Sequence, residues 1–387
     1  MSAAEALTGA GIFDGESWRH DAALILDGGE VVAIIPAADI PPECDVTVLD
    51  GGVLTAGFVD LQVNGGGGVL FNDQPDVEGI GTICAAHGRF GTTALLPTLI
   101  TDTPEVMARA LQAGFEAGAR KLPGFLGLHL EGPHLSLEKR GVHKPDLVRP
   151  MTEADVGQLL AARARLPVLM VTVAPESVTT AQIARLAEAG IIVSIGHTNA
   201  SFEQVNAAAA AGARCVTHLF NAMSPLTPRE PGVVGAALHN GSLFCGMIAD
   251  GIHVSPAAMD IAIGAKKRPG RVFLVSDAMS TIGTNLTRIA LYGQTIYRRA
   301  GRLTLADGTL AGADLELNMA LRTLCEQTGT GFEEAVRMAT LYPATCVRAD
   351  ALVGHLKPGA RAGVVHLDKN HRVKRVWAGQ SLSRECK

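Results

Sequence analysis

Three short apolar runs each stop on a side chain able to ligate a metal: residues 126–131 end on Glu131, residues 191–197 on His197 and residues 215–218 on His218. A buried parallel strand reads as an unbroken apolar run, and its carboxyl end is where ligands and catalytic groups gather. One Glu and two His supply three ligands and leave a fourth position open, the count of a catalytic zinc site rather than a structural one. Other apolar runs end on Gln62 and Asn64, on Asn221, on Asp250 with His253, and on Asp277, while Glu176 stands just past another. Polar groups collected at one end of apolar strands cost desolvation free energy unless they are paired or liganded. A single histidine in such a place is ordinarily a hydrogen-bonded packing residue. Three potential ligands and an acid at matching depths mark a site.

The elements that must position these groups alternate in type. Strand patterns fall at 58–64, 93–99, 125–131, 167–173, 191–197, 214–220, 243–249 and 272–277, with helical patterns between most of them, as at 104–117, 179–189, 201–211 and 255–265. Two of those helical runs are followed by Gly190 and Gly212, placed as residues just beyond a helix end. Eight strand–helix units in about 250 residues predict a closed parallel (β/α)8 barrel. A doubly wound open sheet is the alternative, but Gly65-Gly66-Gly67-Gly68 after Asn64 does not match the GxGxxG fingerprint such a sheet should carry. The two ends of the chain read differently. Short strand patterns at 23–26, 30–35 and 45–49 are matched near the other end by 363–367 and 373–377. Neither tail is large enough to form a good core alone. Together they predict one small β-sandwich built from 1–55 and 352–387, with the catalytic barrel, 56–351, inserted between its halves.

Composition narrows the class of function. The chain has 387 residues, 47% hydrophobic and 18% charged, with a net charge of −5, which removes any electrostatic case for nucleic acid or an anionic membrane surface. An anionic small molecule could bind only through a locally positive pocket. Seven scattered cysteines without a CxxC pair read as free thiols in a reducing compartment. With no basic-then-apolar leader at the start and no membrane-length apolar stretch, the expected location is the cytoplasm.

Several blocks, in order along nearly the whole chain, resemble the N-acetylglucosamine-6-phosphate deacetylases of the amidohydrolase superfamily. They are Gly57-Phe58-Val59-Asp60-Leu61-Gln62-Val63-Asn64 with the glycines that follow, His129-Leu130-Glu131-Gly132-Pro133, Ala174-Pro175-Glu176 and Gly196-His197-Thr198-Asn199-Ala200. Thr217-His218-Leu219-Phe220-Asn221-Ala222-Met223, Arg229-Glu230-Pro231-Gly232, Ala249-Asp250-Gly251-Ile252-His253 and Ser276-Asp277-Ala278 complete the series. Many superfamily members carry His-x-His in the first strand and bind two metals. Gln62-Val63-Asn64 stands there instead, and neutral amides are poor ligands beside imidazole or carboxylate. The expectation is one divalent ion per subunit on Glu131, His197 and His218, zinc first with iron or another divalent ion open, and Gln62 and Asn64 lining a vacant second site.

The resemblance implies a reaction and roles for its residues. N-acetyl-D-glucosamine 6-phosphate would be hydrolysed to D-glucosamine 6-phosphate and acetate, with Asp277 as general base and His143 helping to stabilise the carbonyl oxygen. Val142, His143, Asn221, Ala222, Arg229, Asp250, His253, Leu310, Ala311 and Gly312 would contact the phosphosugar. Arg229 and His253 would reach the phosphate in the neighbouring subunit, which implies a homodimer. Asp314 and Glu316 depart from the small and hydroxylated residues expected after Gly312; they suit the amino end of a following helix. His134 is given no role. The rival readings are the galacto epimer's deacetylase, a dihydroorotase-like ring opener, and a non-catalytic barrel that senses a sugar phosphate.

Overall fold

A computed structural model describes residues 4–378 and the backbone of Arg384–Glu385. Eight parallel strand positions form the barrel: Phe58–Val63, Thr92–Ile100, Gly124–Phe125 continued by Leu128–Glu131, Leu169–Val173, Ile192–Ile195, Cys215–Val216, Phe244–Met247 and Val272–Leu274. All eight expected strands are present, several shorter at their carboxyl ends than the apolar runs that marked them. Helices Pro104–Ala119, Thr180–Glu188, Phe202–Ala210 and Pro256–Ala265 lie where the pattern placed them. Thr103, Thr179, Ser201 and Ser255 cap them by accepting a backbone N–H. Register brings the strand ends level: Ile100 pairs with Glu131, Glu131 with Thr172, and Ile195 with Val216.

The seam between the eighth strand and the first is closed differently. Among the described residues the two are joined by a bridge at Val63 and Ala278, by Asp277 N–H donating to the Gln62 carbonyl, and by Asn64 N–H donating to the Ala278 carbonyl. The fully buried Asp60 carboxylate spans the same gap, accepting from Gln62 N–H and Ser276 N–H at 3.2 Å each. Burial pushes Asp60 up to about 7.

The terminal segments make two sheets. One runs in the order Glu30–Pro36, Ala22–Asp27, Glu5–Thr8, Asp45–Val48; the other joins Arg384–Glu385, Val373–Ala378 and Gly363–Leu367 to Val53–Ala56, Gly11–Phe13 and Trp18–Arg19. Leu7, Ile12, Leu24, Leu54, Val364 and Trp377 fill the space between them. We propose that the two units divide near residues 55/56 and 352.

An antiparallel sheet covers the barrel mouth: Arg288–Leu291, Gln294–Arg299, Arg302–Thr304 and Leu310–Ala313. The outer strands are four residues each and carry little pattern of their own. The sheet has its own apolar core with Leu70, Ile100 and Met279. Asp314 binds Arg298 at 2.7 Å and Thr281 at 2.9 Å, fastening this sheet to the loop after the eighth strand. Glu316 occupies the N-cap position of Leu317–Gln327 but makes no capping bond. Neither acid therefore serves that helix by a hydrogen bond.

Near the third barrel strand, Arg149 grips Asp155 through both guanidinium nitrogens at 2.7 and 2.6 Å, and Asp155 closes a capping box with Thr152. The Arg149 bond holds the Asp155 carboxyl below its usual range. Asp155→Ala is expected to cost about 2 kcal/mol, mostly through the lost cap because the half-exposed arginine is screened. A group with a depressed folded-state pKa contributes fully above its unfolded value near ~4, and that contribution is lost as pH falls through the folded value. The melting difference between wild type and variant should therefore persist at neutral pH and shrink in acid; a gap that widens as pH falls refutes the assignment.

Candidate active site

Glu131, His197 and His218 meet at the carboxyl ends of the third, fifth and sixth strands. Glu131 Oε1 lies 3.2 Å from Nε2 of each histidine, and the two Nε2 atoms are 3.0 Å apart. The edge of a tetrahedron of N and O donors about a zinc ion is roughly 3.3 Å, from bonds of about 2.0–2.1 Å, so this triangle suits three ligands of one ion. His197 Nδ1 is 2.8 Å from the Lys139 carbonyl, which fixes the proton on that nitrogen and leaves Nε2 with its lone pair toward the cluster. His143 also brings a nitrogen near Glu131 and His197, the three atoms lying within 4.8 Å of one another. Its ring stands edge-on to His197, centroids 4.5 Å apart.

The backbone makes this convergence possible. His197, His218 and Asp277 take φ of +47°, +26° and +50°, the left-handed region that residues with a Cβ rarely enter. Each strand thus turns sharply at its chemical residue, aiming the side chain across the barrel mouth instead of along the strand. Sequence patterning carries no signal for that turn.

Charge is balanced without lysine or arginine among these bonded partners. Burial would raise the Glu131 carboxyl, but the imidazoles of His197 and His218 beside it hold it well below the ordinary range. Gln62 donates its amide N–H to both Glu131 oxygens, at 3.1 and 3.2 Å, and to Asp277 Oδ1 at 3.1 Å. Asn64 donates to the same Asp277 oxygen at 2.7 Å. These amides present hydrogens to the two carboxylates, supplying in part the positive field a second cation would bring. Desolvation, then the Glu131 charge, pushes Asp277 above the usual aspartate value. Burial drives His143 down to about 3, so its ring is neutral.

A cavity of about 400 Å³ opens over this cluster, lined by Asn64, Glu131, His143, His197, His218 and Asp277 on its floor. Val142, Asn221, Ala222, His253, Leu310 and Gly312 line it too, as expected from sequence. Gly312 turns at φ +66°, and a Cβ there would lie 2.5 Å from Met279 Cγ. Asp250 is not part of the lining. It stands behind His253, binding Nδ1 at 2.6 Å and the N–H groups of Ile252 and His253 at 2.8 Å, so it orients that imidazole. Ala311 is wholly buried in the covering sheet. Arg229 sits on the exposed segment 225–230, outside this cavity. Phe220 and Ala222 have φ of +79° and +51°, the alternation that turns successive N–H groups toward an anion, and Ala222 N–H makes no hydrogen bond among the described residues.

Some supporting residues were not foreseen. Lys139 orients His197, Asp60 bridges the seam beside Gln62 and Ser276, and Thr101 binds His143. Only Asp60, an acid inside the apolar run 58–63, left a readable trace. Glu176 receives hydrogen bonds from Thr198 Oγ1 and Asn199 N–H, securing the turn after His197. His134 is a packing histidine, with Nδ1 3.2 Å from the Arg149 carbonyl. The six described cysteines are free, and Cys386 lies outside the described residues. No helix among the described residues is long and apolar enough to cross a membrane.

The amidohydrolase family pattern matches residues 53–385. The chain belongs to the amidohydrolase family. It is 45% identical to an N-acetylgalactosamine-6-phosphate deacetylase of a Shewanella species, over 86% of this chain and 84% of that one. It is 36% identical to the N-acetylglucosamine-6-phosphate deacetylase of Haemophilus influenzae, over 92% of each. The crystal structure of N-acetylglucosamine-6-phosphate deacetylase from Pasteurella multocida superposes with a TM-score of 0.94 at 32% identity, over 99% of this chain and all of that one. As an amidohydrolase the chain shares a metal-dependent chemistry, and Glu131, His197 and a further histidine are suited to hold the ion.

Proposed function

We propose that this amidohydrolase hydrolyses the acetamide of N-acetyl-D-glucosamine 6-phosphate, releasing acetate and D-glucosamine 6-phosphate. The observation that carries this reading is the donor triangle of Glu131, His197 and His218 facing Asp277 across one cavity, with His253 and the unbonded Ala222 N–H also in its lining. A single divalent cation on the triangle, zinc or iron according to affinity and supply, would polarise the amide carbonyl and make water more acidic. Asp277 takes the proton from the attacking water. His143 donates a hydrogen bond to the carbonyl oxygen as negative charge grows on it. As the C–N bond breaks, Asp277 returns the proton to the sugar nitrogen, which departs as an amine rather than as its anion. Ala222 N–H and the Asp250-oriented His253 bind the phosphate from the wall of this chain's own cavity, so that of the two residues expected from a neighbouring subunit only Arg229 keeps that role, completing the site in a homodimer.

The 45% relative named for the galacto epimer favours a second reading, in which the 4-hydroxyl configuration is inverted. Acetate release from both 6-phosphates, measured on metal-quantified protein, decides between them. A kcat/KM at least about tenfold higher for the gluco sugar is expected. The reverse ratio establishes the galacto reading, and no acetate from either overturns hydrolysis in favour of a sensor. Arg229→Ala should raise KM for the phosphorylated sugar roughly 10- to 100-fold, the loss of a charge-assisted bond pair, and leave an unphosphorylated analogue little changed. Equal losses on both substrates count against a phosphate role.

A further inference from the structure

Glu131 and His197 can be joined by either of two histidines, His218 or His143, and the structure distinguishes them through one nitrogen. The backbone N–H of Thr101 points at His143 Nδ1 at 3.3 Å, and Thr101 Oγ1 lies 2.8 Å from the same atom. A backbone N–H can only donate, so Nδ1 must be the acceptor, and the proton of the neutral ring resides on Nε2. His197 shows the opposite arrangement, with Nδ1 facing a carbonyl and Nε2 bare. A nitrogen that carries a proton cannot ligate a metal, but it can donate a hydrogen bond into the cavity.

Thr101 is held in this role from both sides. Next to Glu131, Gly132 at φ +90° leaves the space Thr101 occupies: a Cβ there would lie 2.2 Å from Thr101 Oγ1. From the covering sheet, the Tyr292 hydroxyl donates to the Thr101 carbonyl. Lys144, the residue after His143, places Nζ 4.4 Å from the centre of the Tyr292 ring, and Val142, the residue before it, packs into the apolar core of the same sheet. Tyr292 therefore touches both neighbours that fix the His143 ring, Thr101 and the loop that carries it.

We propose that Thr101 and Tyr292 are positioning residues that hold His143 as the Nε2–H tautomer, making it a hydrogen-bond donor to the reacting carbonyl and excluding it from the metal site. The kinetic part of this inference rests on the deacetylase reading; the tautomer and the ligand set do not. Three measurements on the metal-loaded protein test it. In histidine-labelled ¹⁵N spectra, His143 should show a pyrrole-type Nε2 and a pyridine-type Nδ1; a protonated Nδ1 overturns the proposal. His143→Gln should retain its full metal content, and loss of the ion makes His143 a ligand and overturns it equally. Thr101→Val should lower kcat about 10- to 100-fold and Tyr292→Phe about 3- to 10-fold, with KM and metal content within about twofold, the partial loss of one oriented donor. Thr101→Ser, which keeps the hydroxyl, should restore most of the rate. Thr101→Val within twofold of wild type, or Thr101→Ser as impaired as Thr101→Val, sinks the positioning role. If Thr101→Val does not fold, the spectra of the unmodified protein still decide the tautomer. A wild type without turnover defeats the deacetylase reading and leaves the first two measurements standing.

Discussion

Removing divalent cations with a chelator is expected to lower acetate release by at least about 10³-fold, and zinc added back should restore it. The size follows from what a cation on Glu131, His197 and His218 supplies, several kcal/mol of charge stabilisation at the carbonyl and a more acidic water. The stripped site keeps the geometry but has no other strong electrophile: His143 is neutral, and the amides of Gln62 and Asn64 face carboxylates rather than the cavity's reacting end. A second readout is independent of activity. A ligand that binds only the folded chain raises its stability, so the melting midpoint should fall on stripping and recover with the ion, saturating at one equivalent. Saturation at two equivalents would show that Gln62 and Asn64 do not close the second site. Full-rate hydrolysis by stripped protein would remove the basis of the proposed mechanism.

What could be read from sequence follows from which forces are local. The barrel was legible because a parallel strand covered on both faces must be apolar throughout, and a polar terminus such as Glu131, His197 or Asp277 then stands out against it. The split sandwich was legible because neither tail could bury a core by itself. The pairings between distant side chains were not. Thr101 meets His143, and Gln62 meets Asp277, only once the barrel has closed and the seam at Asp60 has set the register. Asp314 departs from the small and hydroxylated residues expected there because it pairs with Arg298, sixteen positions away on the inner strand Gln294–Arg299 of the covering sheet. Arg229 remains outside the cavity of its own chain. Its proposed function needs a second copy, which no pattern within one sequence can supply.

Asp277→Asn is expected to lower kcat by about 10³- to 10⁴-fold while metal content and KM stay close to wild type, the upper range for loss of a general base. The substitution is unusually clean. Asparagine is among the residues best tolerated at positive φ, so the turn at +50° survives. Its Oδ1 can accept from the Gln62 and Asn64 amides that now bind Asp277 Oδ1 at 3.1 and 2.7 Å, so the side chain keeps its place. What is lost is the lone pair that takes the water proton, and with it the acid that returns a proton to the leaving nitrogen. The field around Asp277 favours the first half of that role: desolvation and the Glu131 charge raise its pKa, so the carboxylate takes up a proton more readily than a free aspartate. An Asn variant that loses its metal would recast Asp277 as a ligand. One that turns over near the wild-type rate with metal bound would mean that the proton is handled elsewhere, and His253 in the same cavity wall would be the group to examine next.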